Sequence, residues 1–205
     1  TILYGDATDS GNTKKDTVQG VLDLVPAGGG DLVFLAEDNA GAATKEFTSA
    51  DGIDATIYEN YLFVFDGVWA TTSGDDLLLT FYSDDGSTAL TSNVYRYVIH
   101  GTDTNGVELR HSSANATVMA LTPSGGARAS ATNSLFGKVW LHLNDSANYW
   151  SHTLELDFVE QSSNDLHTTR GHFRYFASTA LLAVKFHTDS SNINGKIRMY
   201  GLKYA

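Results

Sequence analysis

The sequence predicts an all-β protein: an antiparallel two-sheet β-sandwich of jelly-roll type with an N-terminal arm. Three observations predict it. Hydrophobicity alternates with period two from residue 31 onward. The composition suits strands and turns, with 10 Tyr, 10 Phe and 3 Trp beside 19 Gly and only 2 Pro in 205 residues. Aromatic side chains fit a half-buried pleated surface, Gly supplies turns, and Pro would break ladders. Helix-period stretches are nearly absent. Thr13 to Leu24 is the one candidate, with Val18, Val21, Leu22 and then Val25 at helical spacing. Gly20 interrupts it at a cost of about 1 kcal/mol relative to Ala.

Residues 1–45 read as an arm, because Gly28-Gly29-Gly30 and the Ala/Gly stretch Asn39 to Thr44 interrupt any core pattern. Residues 46–205 are assigned to the sandwich. Asp31 to Glu37 reads as a first strand. Ile57 to Trp69 reads as a long central one, with Tyr61, Phe63, Phe65 and Trp69 on one face and Leu62, Val64 and Val68 on the other. Trp69 is therefore expected to be buried. Leu77 to Ser83 follows, and Asp84-Asp85-Gly86-Ser87 supplies a tight turn toward Val94 to His100 as its hairpin partner. Further strands are expected at Val107 to Ser112, Ala116 to Leu121, Phe136 to Leu143, Trp150 to Glu160, Gly171 to Ala177, Leu182 to His187 and Lys196 to Tyr204. In Trp150 to Glu160, His152, Leu154, Leu156 and Phe158 alternate with Thr153, Glu155 and Asp157, the pattern of a strand with one face on a core and one in water.

Charge and composition exclude several functions. Lys plus Arg number 13 against 24 Asp plus Glu, a formal net charge of -11. Such a surface repels phosphate backbones and anionic bilayers, so no nucleic-acid partner is expected. The longest apolar runs, Tyr61 to Phe65 and Ala180 to Val184, fall far below the roughly 18 residues that cross a bilayer, so no membrane insertion is expected. The opening Thr1 to Asp6 carries no basic start and no apolar stretch of a secretory signal. With no Cys there are no disulfides, thiolate metal sites or cysteine nucleophiles.

The sharpest enzyme-like segment is Glu155-Leu156-Asp157-Phe158-Val159-Glu160. Alternation puts Glu155 and Asp157 on one face roughly 6–7 Å apart, and a bulge at Val159 would bring Glu160 to that face. The hexapeptide resembles the Glu-x-Asp-x-x-Glu core of laminarinase-like glucanases, a likeness that would make the two Glu nucleophile and general acid. Ordinary solvated strand acids explain it as well, in a chain with 24 of them. The seven His (100, 111, 142, 152, 167, 172 and 187) lack metal-site spacing. His142 and His187 read as solvent-facing or interfacial and His152 as a core residue. Asp75-Asp76 and Asp84-Asp85 read as turn chemistry. Trp69, Trp140, Tyr149 and Trp150 are the aromatic faces on which a sugar would stack. No catalytic residue, metal ligand or cofactor is assigned, and the ligand-contacting residues stay open.

Two stretches carry a resemblance. Tyr58-Glu59-Asn60-Tyr61-Leu62-Phe63-Val64-Phe65-Asp66-Gly67-Val68, leading to Leu77 to Ser87, resembles the opening strands of a β-sandwich module of tailed-bacteriophage virion proteins. Leu181 to Phe186 and Asn192 to Lys203, with Ile197-Arg198-Met199-Tyr200-Gly201-Leu202, are similar to its closing strands. The resemblance implies a non-enzymatic part of a virus particle, a tail fibre or spike or a capsid decoration. It further implies a virion location after assembly in the host cytoplasm, a homotrimer, and binding of a host receptor or surface glycan. Contact with other virion proteins is assigned to the arm. The alternatives are a jelly-roll glycoside hydrolase built on Glu155, Asp157 and Glu160, and a free carbohydrate-binding module.

Overall fold

A computed structural model describes residues 2–5, 13–16, 32–92, 95–122, 134–142, 151–160, 164–175 and 181–203. Strands β1 (Ile2–Gly5) and β2 (Thr13–Asp16) pair with each other as an antiparallel ribbon. The sandwich is built from β3 (Leu32–Asp38), β4 (Thr44–Phe47), β5 (Tyr58–Ala70), β6 (Leu77–Tyr82), β7 (Tyr95–Asp103) and β8 (Glu108–Ala116). It continues through β9 (Met119–Ala120), β10 (Leu135–His142), β11 (Ser151–Val159), β12 (Leu166–Tyr175), β13 (Ala183–Thr188) and β14 (Ile193–Lys203). These form an eight-stranded sheet, β3-β14-β5-β10-β11-β12-β7-β8, and a four-stranded sheet, β4-β13-β6-β9. Every pairing is antiparallel. The expected two-sheet β-sandwich is the observed architecture.

The sheets meet through aromatic side chains. Phe186 on β13 and Phe47 on β4 lie edge-on against Phe63 of β5, at centroid distances of 5.1 and 5.2 Å. Phe81 on β6 packs on Tyr95, Phe173, Tyr175 and the ring of His152, at 5.1–6.4 Å. Edge-to-face and offset geometries suit the ring quadrupoles, and burial of each Phe contributes about 1.5–3 kcal/mol. The Phe81 amide donates to Tyr95 Oη at 2.8 Å, which gives a buried hydroxyl its partner.

The structure changes four expectations. Residues 32–45 are not arm: β3 pairs with β14, and β4 pairs with β13. Fully buried Lys45 holds them there, its ammonium donating to Asp38 Oδ1 at 3.1 Å and to the Ala40 carbonyl at 2.6 Å. Second, Trp69 does not share the core face of β5. Gly67 takes a positive φ of 64° in a bulge, so the parity flips and Val68, not Trp69, enters the core. Third, the turn after β6 forms, with Asp84 Oδ1 accepting from Ser87 and Thr88 amides, but its hairpin ends at a single Tyr82–Ala89 bridge. β7 then joins the other sheet, because both hydrogen-bonding edges of β6 are taken, one by β13 and one by β9. Fourth, Thr13 to Asp16 is strand rather than helix; residues 17–24 of that stretch lie outside the described residues.

Candidate functional site

The two outer faces of the sandwich differ. On the small sheet, the 84–87 turn folds over the outer face: Lys185 Nζ donates to the Gly86 carbonyl at 2.9 Å and pairs with Glu46 at 3.0 Å. Asp85 accepts from both the amide and the hydroxyl of Ser49, at 2.8 and 2.7 Å. Thr80 and His187 bond to each other at 2.9 Å. The small sheet thus satisfies much of its outer face from within.

On the large sheet, the outer face across β10, β11, β12, β7 and β8 forms a shallow furrow of three adjoining depressions. One, of about 350 Å³, is lined by Lys138, Trp140, Thr153, Glu155, Arg170 and His172. A second, of about 340 Å³, shares Lys138, Glu155 and Arg170 and adds Asp157 and Thr168. A third, of about 420 Å³, runs on over His100, Thr102, Glu108 and Arg110. Arg170 borders all three. Four inter-strand gaps give the furrow a width of about 19 Å.

Register explains the lining. Lys138, Glu155, Arg170, His100 and Arg110 are directly opposed on successive strands and form one polar row. Glu155 bridges two cations, Lys138 at 2.9 Å and Arg170 at 3.5 Å. Hydrogen bonding and charge from Lys138, then Arg170, hold its carboxyl below the usual carboxylate range. Glu108 pairs with Arg110 at 2.9 Å. In a neighbouring row Trp140 stands beside Thr153, then His172, then Val98.

The acids of the Glu155–Glu160 segment are not gathered into one site. Glu155 and Asp157 do face out together. Glu160 instead turns toward the inner side, with Oε2 3.6 Å from Nε2 of buried His167, because the β11–β12 register runs unbroken from Ser151 to Val159 without the anticipated bulge. A general acid needs a raised pKa and a partner across a cleft. Glu155 has the opposite shift and two cationic partners.

His152 is fully buried, as its parity with Leu154 required, and its Nδ1 accepts from the His142 amide at 3.1 Å. Burial, with a smaller contribution from His142, pushes its pKa down to about 3. His111 is stacked on Tyr97 at 5.2 Å and bonded to its hydroxyl. Among the described residues no three His, Asp or Glu side chains converge as a metal site. Asp75 accepts from Ser190, and Asp84 caps its own turn. Tyr149 and Trp150 lie outside the described residues.

Sequence reasoning missed Arg170, Lys138 and Arg110 as a set. Its strand began at Gly171, whereas β12 begins at Leu166 and alternates strictly between exposed and buried positions. The buried set includes His167, Thr169 and Gly171, which carry little hydrophobic signal. The alternation of Thr168, Arg170, His172 and Arg174 was the available clue.

Comparison with protein-family models, with curated proteins and with solved structures returns no match.

Proposed function

We propose that this chain is a non-enzymatic structural protein of a tailed-phage particle, a tail fibre, spike or capsid decoration, and that it attaches to a host receptor or surface glycan. The open face of its eight-stranded sheet is the attachment surface in this reading. One observation carries it. The two stretches that resemble the virion module are more than ninety residues apart, yet β5 is hydrogen-bonded to β14 and β6 to β13. The opening and closing strands of the resemblance therefore make up one continuous unit spanning both sheets.

The pairs β5–β14, β6–β13 and β7–β12 are nested and alternate between sheets, which supports the jelly-roll assignment. Assembly as a homotrimer in the virion, with contacts to other virion proteins through the segment before β3, belongs to the same proposal. Among the described residues β3 and β8 are the outermost strands of the large sheet, and an uncovered edge invites pairing, which favours assembly. Phe34 on β3 is 55% exposed and Leu32 45%. Repetition of weak sites around a trimer would multiply affinity by avidity without a deep pocket.

The test combines mass, adhesion and turnover. Sedimentation is expected to give a mass near three times the 22.1 kDa chain. The trimer is expected to adhere to bacterial cells and to release no reducing sugar from β-glucans. A monomer that hydrolyses a polysaccharide, with loss of turnover in Glu155→Gln, would replace this proposal by the hydrolase.

A further inference from the structure

Two parallel rows of outward side chains cross β10, β11, β12 and β7. Register puts Trp140, Thr153, His172 and Val98 directly opposite one another in the first. Two residues along each strand, and so about 7 Å away, the second holds Lys138, Glu155, Arg170 and His100. The first row offers ring and methyl surface. Trp140 and Thr153 are half-buried, His172 is exposed and Val98 is 39% exposed. Leu62, opposite Trp140 on β5, is only 9% exposed, so the open part of the row begins at Trp140.

The second row is neutralised from within. Lys138 and Arg170 share Glu155, at 2.9 and 3.5 Å, and Arg110, opposite His100, pairs with Glu108 at 2.9 Å. Among the residues lining the three depressions, Asp157 brings the acids level with Lys and Arg. The furrow therefore has no surplus of either sign, and the chain's net charge of -11 repels an acidic ligand. What remains is a line of oriented donors and acceptors. Glu155 is 46% exposed, Lys138 47% and Arg170 76%. Ion pairs at such positions are worth about 0–1 kcal/mol, so their ammonium, guanidinium and carboxylate groups can bond a ligand hydroxyl at little cost.

Resting on the attachment reading above, we infer that the furrow binds an uncharged, extended polysaccharide laid across the strands, its ring faces on Trp140 and His172 and its hydroxyls on Lys138, Glu155 and Arg170. The two rows reproduce the two sides of a sugar ring, a C–H face beside a rim of hydroxyls. Spacing selects an extended chain. Trp140 and His172 stand on alternate strands, about 10 Å apart, with Thr153 between them. In an extended β-linked chain such as cellulose alternate rings turn the same way, and that two-ring repeat is close to two strand spacings. A protein partner fits less well. Its interface needs a contiguous apolar centre, whereas here the ring surface is one side chain wide and bordered by ion pairs that an apolar partner would have to desolvate.

The experiment titrates the full chain calorimetrically with cellohexaose, with maltohexaose as an uncharged but coiled chain, and with a hyaluronan oligosaccharide as an acidic one. Cellohexaose is expected to bind about tenfold or more tighter than either, and to change little as salt rises from about 20 to 200 mM. Trp140→Ala is expected to lose about tenfold or more, and Arg170→Ala, at an exposed position that folding does not depend on, about three- to tenfold. Trp140→Phe, which keeps a ring, should bind within about threefold of the unaltered chain while losing the change in tryptophan emission on binding. Equal binding of maltohexaose overturns the extended chain, and tighter, salt-sensitive binding of hyaluronan overturns the uncharged class. Cellohexaose binding that neither Trp140→Ala nor Arg170→Ala weakens overturns the site. Adhesion to cells with no affinity for any of the three oligosaccharides overturns this inference but not the attachment reading.

Discussion

A histidine held among aromatic rings gives this protein a sensitivity to acid. His152 sits 4.7 Å from the Phe173 ring and 5.1 Å from Phe81. Its folded pKa of about 3 lies below the value near 6.5 of an exposed ring. Between those pH values the unfolded chain binds a proton that the folded chain does not. Stability from this residue is complete above about pH 6.5 and falls as pH drops toward 3, by about 1.4 kcal/mol per pH unit. Urea unfolding at a series of pH values checks it: His152→Asn, which keeps an acceptor for the His142 amide, should lose about one proton of that slope. An unchanged slope would show that other groups carry the acid sensitivity. The position of His152 was legible from its parity with Leu154. That of Lys45 was not, since Thr44-Lys45-Glu46-Phe47 has one apolar residue, and a Lys becomes a core residue only through the Asp38 and Ala40 oxygens that receive it.

Elements were readable where burial speaks through apolar side chains, as in β5, β6 and β13. They were obscured where a backbone irregularity or a polar interior intervenes. The bulge in β5 is one such case. Gly67 has φ 64° and Gly195, across from it on β14, has φ 85°. A Cβ at Gly67 meets no atom closer than 3.6 Å, whereas one at Gly195 would run into the backbone of Gly67 and Val68. Gly67→Ala should therefore cost about 1 kcal/mol for the left-handed conformation alone. Gly195→Ala should cost about 3 kcal/mol, because strain and overlap with main chain add. Urea midpoints of the two variants measure the difference, and equal midpoints would remove the bulge as the device that turns Val68 inward. β12 is the other case, its inner face being built from His167, Thr169 and Gly171 as much as from Phe173 and Tyr175.

At the scale of the molecule, the sandwich pairs a closed face with an open one. The small sheet covers its outer side with its own turn, through Lys185 and Asp85. The large sheet leaves an open furrow in which Lys138, Arg170 and Arg110 meet Glu155, Asp157 and Glu108. The two-sheet class was legible from alternation alone. The furrow was not, because it depends on the exact register of five strands and on the pairing of β12 with the distant β7, and no local pattern records which charges will lie side by side. Amide hydrogen exchange of the chain, free and bound to a cell-surface polysaccharide to which it adheres, tests most directly whether this face is the working surface. Added protection confined to β10, β11, β12 and β7 is the predicted result; protection centred on β4, β13 and β6 would contradict it.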